Sequence, residues 1–78
     1  IGVERNAGRA QALYEQAARG RHTAAMFNLA DMLRGGSEQD RARAITLYQQ
    51  LACMRDERQI QPMAAARLRA LQASADCR

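Results

Sequence analysis

The sequence predicts an all-α domain, an α-α superhelix or solenoid of about two antiparallel helical hairpins. Three observations carry this prediction. The composition is rich in Ala, Leu and Met, poor in β-branched residues, and has no Trp and one Phe; such a mix favours helices over sheet. Apolar residues recur at i, i+3, i+4 and i+7 in three segments and form one helical stripe in a fourth. Finally, Arg9–Ala18, "RAQALYEQAA", returns 34 residues later as Arg43–Ala52, "RAITLYQQLA", identical at six of ten positions. A fixed period in the thirties is the signature of stacked helical hairpins, and an ordinary four-helix bundle does not require those matches.

The first segment places Ala10, Leu13, Tyr14, Ala17 and Ala18 on one face. Asn6 is the expected cap, and Gly20 stands where a left-handed stop is wanted. The second, "HTAAMFNLADMLRGG", aligns Met26, Leu29, Ala30 and Leu33. Thr23 is the expected N-cap, and Gly35-Gly36 ends the helix. The third, "DRARAITLYQQLACM", aligns Ala44, Leu47, Tyr48, Leu51 and Ala52, with Asp40 as the expected N-cap. Tyr14 and Tyr48 should bury their rings and keep the hydroxyl beside a polar neighbour. The fourth is expected to begin at Pro62, a residue suited to a first helical turn, and to put Ala64, Leu68, Leu71 and Ala75 on one stripe. It echoes the second segment, Leu29 mapping to Leu68 at an offset of 39. Residues 55–61, "RDERQIQ", read as an exposed loop, and the other links are short, which makes neighbouring helices antiparallel.

The 78 residues are expected to form one domain. Because the chain starts at Ile1 rather than Met, it reads as an excerpt or a processed chain, with no secretory signal or membrane span in view. The formal net charge is +4, and every cation is Arg. Acids are interspersed with the arginines, the pattern of a solvated surface rather than a nucleic-acid footprint. An electrostatic nucleic-acid binder using the Arg excess stays as an alternative; interspersed acids and the lack of stacking aromatics argue against it. His22 is the only His, and no metal-ligand spacing or phosphate loop is present. No catalytic residue, metal or cofactor is expected, and the chain reads as a non-enzyme.

A disulfide needs Cα atoms within about 7 Å, whereas a fifteen-residue helix is about 22 Å long. An intramolecular Cys53–Cys77 bridge would therefore need the tail to fold back. The favoured expectation is Cys53 as a small buried hydrophobe and Cys77 as a frayed-tail thiol able to pair between chains. Phe27, Ile45, Met54, Ile60 and Met63 lie off the main stripes; some should form a second core face and the rest an adhesive surface.

The stretch "AAMFNLADMLRGGSEQDRARAITLYQQLA" resembles the Sel1-like repeat, a relative of the tetratricopeptide repeat. Ala25, Leu29, Met32, Asp40, Arg43, Ala44, Leu47, Tyr48 and Ala52 occupy pattern positions, and "RAQALYEQAARG" is similar to the second half of a preceding repeat. Ala30 stands where the family usually has Gly, Leu33 replaces a Tyr, and the last loop is longer than the family's. In the family's terms the helices read B, A, B, A, so a helix preceding Ala10–Ala18 is expected to have been lost or to come from another chain. The resemblance implies a scaffold or adaptor that binds a peptide or partner helix in the groove of its A helices, with homodimerisation as a subsidiary partner and no membrane insertion. A purely structural slice of a longer solenoid is the other option. The implied partner-binding residues are Asn28, Asp31 and Arg67, with Phe27 and Met63 from the off-stripe apolar set. Arg67 matches Asn28 in register, and the pair would suit an acidic or carboxylate-bearing peptide. The resemblance leans toward a bacterial periplasmic or secretion-associated setting, with the cytoplasm open.

Overall fold

The computed structural model describes residues 22–77, together with Ala12, Gln16 and Gly20. Three helices are present among the described residues: α1, Thr23–Leu33; α2, Glu38–Ala52; and α3, Ile60–Ala70. The helix expected around Ala10–Ala18, with its Asn6 cap and Tyr14, lies outside the described residues except for Ala12, Gln16 and Gly20, which are helical. Gly20 therefore does not make a left-handed stop, and no described glycine has positive φ. A Cβ on Gly20 would sit 2.6 Å from the His22 imidazole, so close approach of that ring is what a larger residue would disturb.

The starts of the helices correct the expected caps. His22, not Thr23, is the N-cap of α1, with no side-chain cap hydrogen bond. Ser37, not Asp40, caps α2. The Asp40 N–H donates to Ser37 Oγ at 3.2 Å, and the Ser37 N–H donates to Asp40 Oδ2 at 3.3 Å. This reciprocal capping box satisfies two otherwise orphaned donors. It also explains why Asp40 can be buried, since its other carboxylate oxygen lies 3.6 Å from Arg43 Nη1. Ser37→Ala should cost about 1 kcal/mol, read as a lower urea midpoint with unchanged slope. Pro62 sits in the first turn of α3, two residues after the actual start at Ile60.

The turn after α1 is closed by the Gly36 N–H donating to the Leu33 carbonyl at 3.0 Å. It returns the chain so that α2 packs on α1, and α3 then packs on α2. The core holds most of the predicted set: Met26, Leu29, Ala30 and Leu33 from α1; Ala44, Leu47, Tyr48, Leu51 and Ala52 from α2; Ala64 and Leu68 from α3, with the expected Leu71 and Ala75 only partly buried. Phe27 is also buried, and Ile45, Met54, Ile60 and Leu71 pack partly against this cluster. Met63 is 46% exposed and Met32 48%. The small residues Ala30, Ala44 and Ala64 are fully buried, so the helices meet closely where they cross.

The largest departure from expectation is the carboxyl end. The fourth helix does not continue to Ala75; α3 stops at Ala70. Gln72 takes a left-handed φ of 57°. The Gln72 N–H donates to the Arg69 carbonyl at 3.0 Å and the Ala73 N–H to the Leu68 carbonyl at 2.8 Å. These are the two bonds of a Schellman stop, with Gln at the position that ordinarily holds Gly. Gln72→Gly should therefore stabilise the chain by roughly 0.5–1 kcal/mol, the left-handed cost being partly offset by extra freedom in the unfolded state; thermal unfolding measures it.

Beyond this stop the tail reverses, and Cys77 forms a disulfide with Cys53, Cα–Cα 5.5 Å. This overturns the expectation of a buried free Cys53 and a frayed Cys77. The reason is length. An eleven-residue α3 rises about 16 Å. The five non-helical residues 73–77 can reach at most about 17 Å, enough to return to the loop where Cys53 ends α2.

Candidate functional site

The residues singled out by the sequence fall on α1 and α3, and three of them converge. Arg67 Nε donates to Asp31 Oδ1 at 3.0 Å, and its Nη2 donates to Oδ2 at 3.4 Å. This two-pronged contact suits a planar guanidinium and a carboxylate. The Arg67 Cζ also lies 5.1 Å from the centroid of the Phe27 ring, within cation–π range. Phe27 in turn meets Tyr48 edge-on, with centroids 5.8 Å apart and planes at 67°.

Tyr48 was expected to bury its ring with the hydroxyl beside a polar neighbour, and the structure supplies that neighbour. It is fully buried, and its hydroxyl donates to Asp31 Oδ1. Asp31 thus ties all three helices together: it sits on α1, accepts from Tyr48 of α2, and accepts from Arg67 of α3. Asp31 was read as a groove residue beside Asn28. The structure makes it the anchor of an internal network, although its side chain keeps 30% exposure and that of Arg67 32%. The repeat offset gives the signal that could have found it, because a carboxylate facing a Tyr and an Arg from successive helices is a matched set.

The network perturbs its own acids. Burial raises the Asp31 carboxyl, but hydrogen bonds from Arg67 and Tyr48 and the charges of Arg67 and Arg34 outweigh it, holding it below the usual carboxylate range. Burial, and then donation to Asp31, push the Tyr48 hydroxyl well above the ordinary tyrosine range. The Asp31 contribution to stability is therefore full above its unfolded value, about pH 3.9, and is lost as pH falls through the lower folded value. The Tyr48 contribution is present below about pH 10 and lost above it. Urea midpoints should hold level from pH 6 to 8 and fall by pH 3, and Asp31→Asn should flatten that acid limb.

Asn28 and Met63 remain on the surface. Asn28 is three residues before Asp31 and Met63 four before Arg67, so each stands on its helix face next to one end of the ion pair. Among the described residues no three His, Cys, Asp or Glu side chains group as metal ligands. No helix among them is long and apolar enough to cross a membrane.

The family model for the Sel1 repeat matches residues 1–22 and 23–56. No curated protein and no solved structure shows significant similarity to the chain. The second match covers α1, α2 and the first turn of the following loop, one hairpin with its core. α3 and the returning tail follow it. Sel1 repeats are generally protein–protein interaction modules and typically non-enzymatic scaffolds. With its helices stacked as a short solenoid, and most of its length matched by the repeat, the chain belongs to the Sel1-repeat family.

Proposed function

We propose that the chain is a non-enzymatic interaction module that binds a peptide or partner helix across the exposed faces of α1 and α3. The carrying observation is that Asn28 and Met63 stand open beside the Asp31–Arg67 bridge, while Phe27 is buried beneath Arg67. In this reading Asn28 offers amide hydrogen bonds to a peptide backbone and Met63 an adaptable apolar contact. The half-exposed edges of Asp31 and Arg67 orient the ligand, and Phe27 acts through Arg67 by fixing its guanidinium. Because Arg67 already faces a carboxylate, an acidic ligand would meet a partly neutralised arginine. The specificity then comes from shape and backbone contacts more than from net charge. Arg43 and Arg67 both pair with carboxylates, which favours a protein ligand over a nucleic acid. The disulfide supports an exported setting, where such bonds persist.

Peptides selected from a random display library on the folded chain supply the probe. Asn28→Ala and Met63→Ala should each weaken the best peptide about five-fold by fluorescence anisotropy, as truncating an interface side chain worth ~1 kcal/mol does, with the helical circular dichroism unchanged. Unchanged affinity in both variants would place the binding face elsewhere. Binding that falls steeply with salt for any single-stranded oligonucleotide, and not for peptides, would favour the nucleic-acid reading.

A further inference from the structure

The returning tail has a regular pattern of its own. Leu71, Ala73 and Ala75 are half-buried, while Gln72, Ser74 and Asp76 between them are exposed. The three inward residues pack against the core cluster. Leu71 closes the helix at the stop, and beyond Gln72 the inward Ala73 and Ala75 alternate with the outward Ser74 and Asp76. The Gln49 side-chain amide of α2 donates to the Ser74 carbonyl at 3.2 Å. Cys77 Sγ lies 3.7 Å from the Ala52 carbonyl oxygen, beside its bridge to Cys53. The side of α2 that carries Gln49 and Ala52 thus receives a short non-helical segment with small side chains at Ala73 and Ala75 and sulfur at the end.

We propose that this face is a binding site for a short non-helical segment, occupied by the chain's own tail in the oxidised state and by the tail of a second copy after the bridge is opened and re-formed. Two observations support exchange. First, apart from Leu71 at the stop, the apolar contacts of the tail with the core come from small, half-buried side chains, Ala73 and Ala75. Secondly, the hinge is Gln72, a non-glycine residue in the left-handed region; an open hinge releases it to extended backbone. A second copy offers the same contacts with no new surface needed, the condition for a swapped dimer.

The chemistry balances as thiol–disulfide exchange. A thiolate of dithiothreitol attacks Sγ of Cys77, the exposed half of the bridge, and Cys53 leaves as thiolate. The reagent's second thiol closes its ring and frees Cys77, so the reagent gives two electrons to the protein disulfide. In re-oxidation, Cys53 attacks oxidised glutathione and releases one glutathione thiolate. Cys77 of either copy then attacks Cys53 Sγ and releases the second.

Isotope-labelled and unlabelled full-length chains are mixed, reduced, re-oxidised with oxidised glutathione, digested without reductant and analysed by mass spectrometry. The expected result is Cys53–Cys77 pairs joining labelled to unlabelled chains, in a share that rises with protein concentration and exceeds mixed Cys77–Cys77 pairs. Ala75→Asp in both chains should lower the ratio of mixed Cys53–Cys77 to mixed Cys77–Cys77 pairs about ten-fold, because a charge cannot take the half-buried alanine position without cost. Mixed pairs that are absent at every concentration would overturn the exchange. A ratio unmoved by Ala75→Asp would overturn the site, leaving only collision of mobile thiols.

Discussion

Reduction of Cys53–Cys77 is expected to lower the unfolding free energy by about 3.5 kcal/mol. The bridge joins residues 24 apart, and closing a loop of that length in the unfolded chain has an entropy cost of this size. The effect is large because the chain is small. A domain of 78 residues is expected to have a total stability of about 4–12 kcal/mol. At about 4–8 °C per kcal/mol, the melting temperature should fall by roughly 15–25 °C. Urea unfolding with and without reductant measures it, and Cys53→Ala and Cys77→Ala should each reproduce the reduced value. If the oxidised and reduced proteins differ by less than about 1 kcal/mol, the tail is not constraining the fold as described.

Asp31→Ala should cost about 2 kcal/mol, more than any single surface change. The substitution leaves the buried Tyr48 hydroxyl without its acceptor and Arg67 without its partner; unsatisfied buried donors cost about 1–3 kcal/mol each, less where water reaches them. Arg67 is reached by water, so most of the loss belongs to Tyr48. Tyr48→Phe, which removes the donor along with the need for an acceptor, should cost less than Asp31→Ala. Arg67→Met should also cost less, since an exposed pair contributes at most about 1 kcal/mol. A double-mutant cycle between Asp31 and Tyr48 should show coupling, and additive losses would mean that the hydroxyl and carboxylate act independently.

The helical architecture and nearly all of the core could be read from periodicity, because a helix stripe is a one-dimensional pattern. Leu47, Tyr48 and Leu51 were placed correctly for that reason. The capping box was partly visible as Ser37 followed three residues later by Asp40, but Asp40 alone is also a good cap, and the local sequence does not choose between them. The end of α3 was not visible. Gln72 carries no turn signal, and "ALQASA" continues the helical stripe, so only the packing of Leu71, Ala73 and Ala75 against the core decides the reversal. The disulfide followed from that error, since a continuous helix holds the cysteines apart. For the site, the family resemblance put Asn28, Asp31 and Arg67 together on the A helices. It could not show that Asp31 and Arg67 satisfy each other, which depends on how far apart α1 and α3 stand.

The most direct measurement is native-state hydrogen exchange of the backbone amides, residue by residue, in oxidised and reduced protein. With the last helix fixed to the repeat by both the Asp31 network and the disulfide-bound tail, the amides of α3 should be as protected as those of α2 when oxidised. On reduction α3 should open first, through its own partial unfolding, while α1 and α2 keep more of their protection. Protection of α3 that is unchanged by reduction, or that is already absent in the oxidised protein, would contradict this double anchoring.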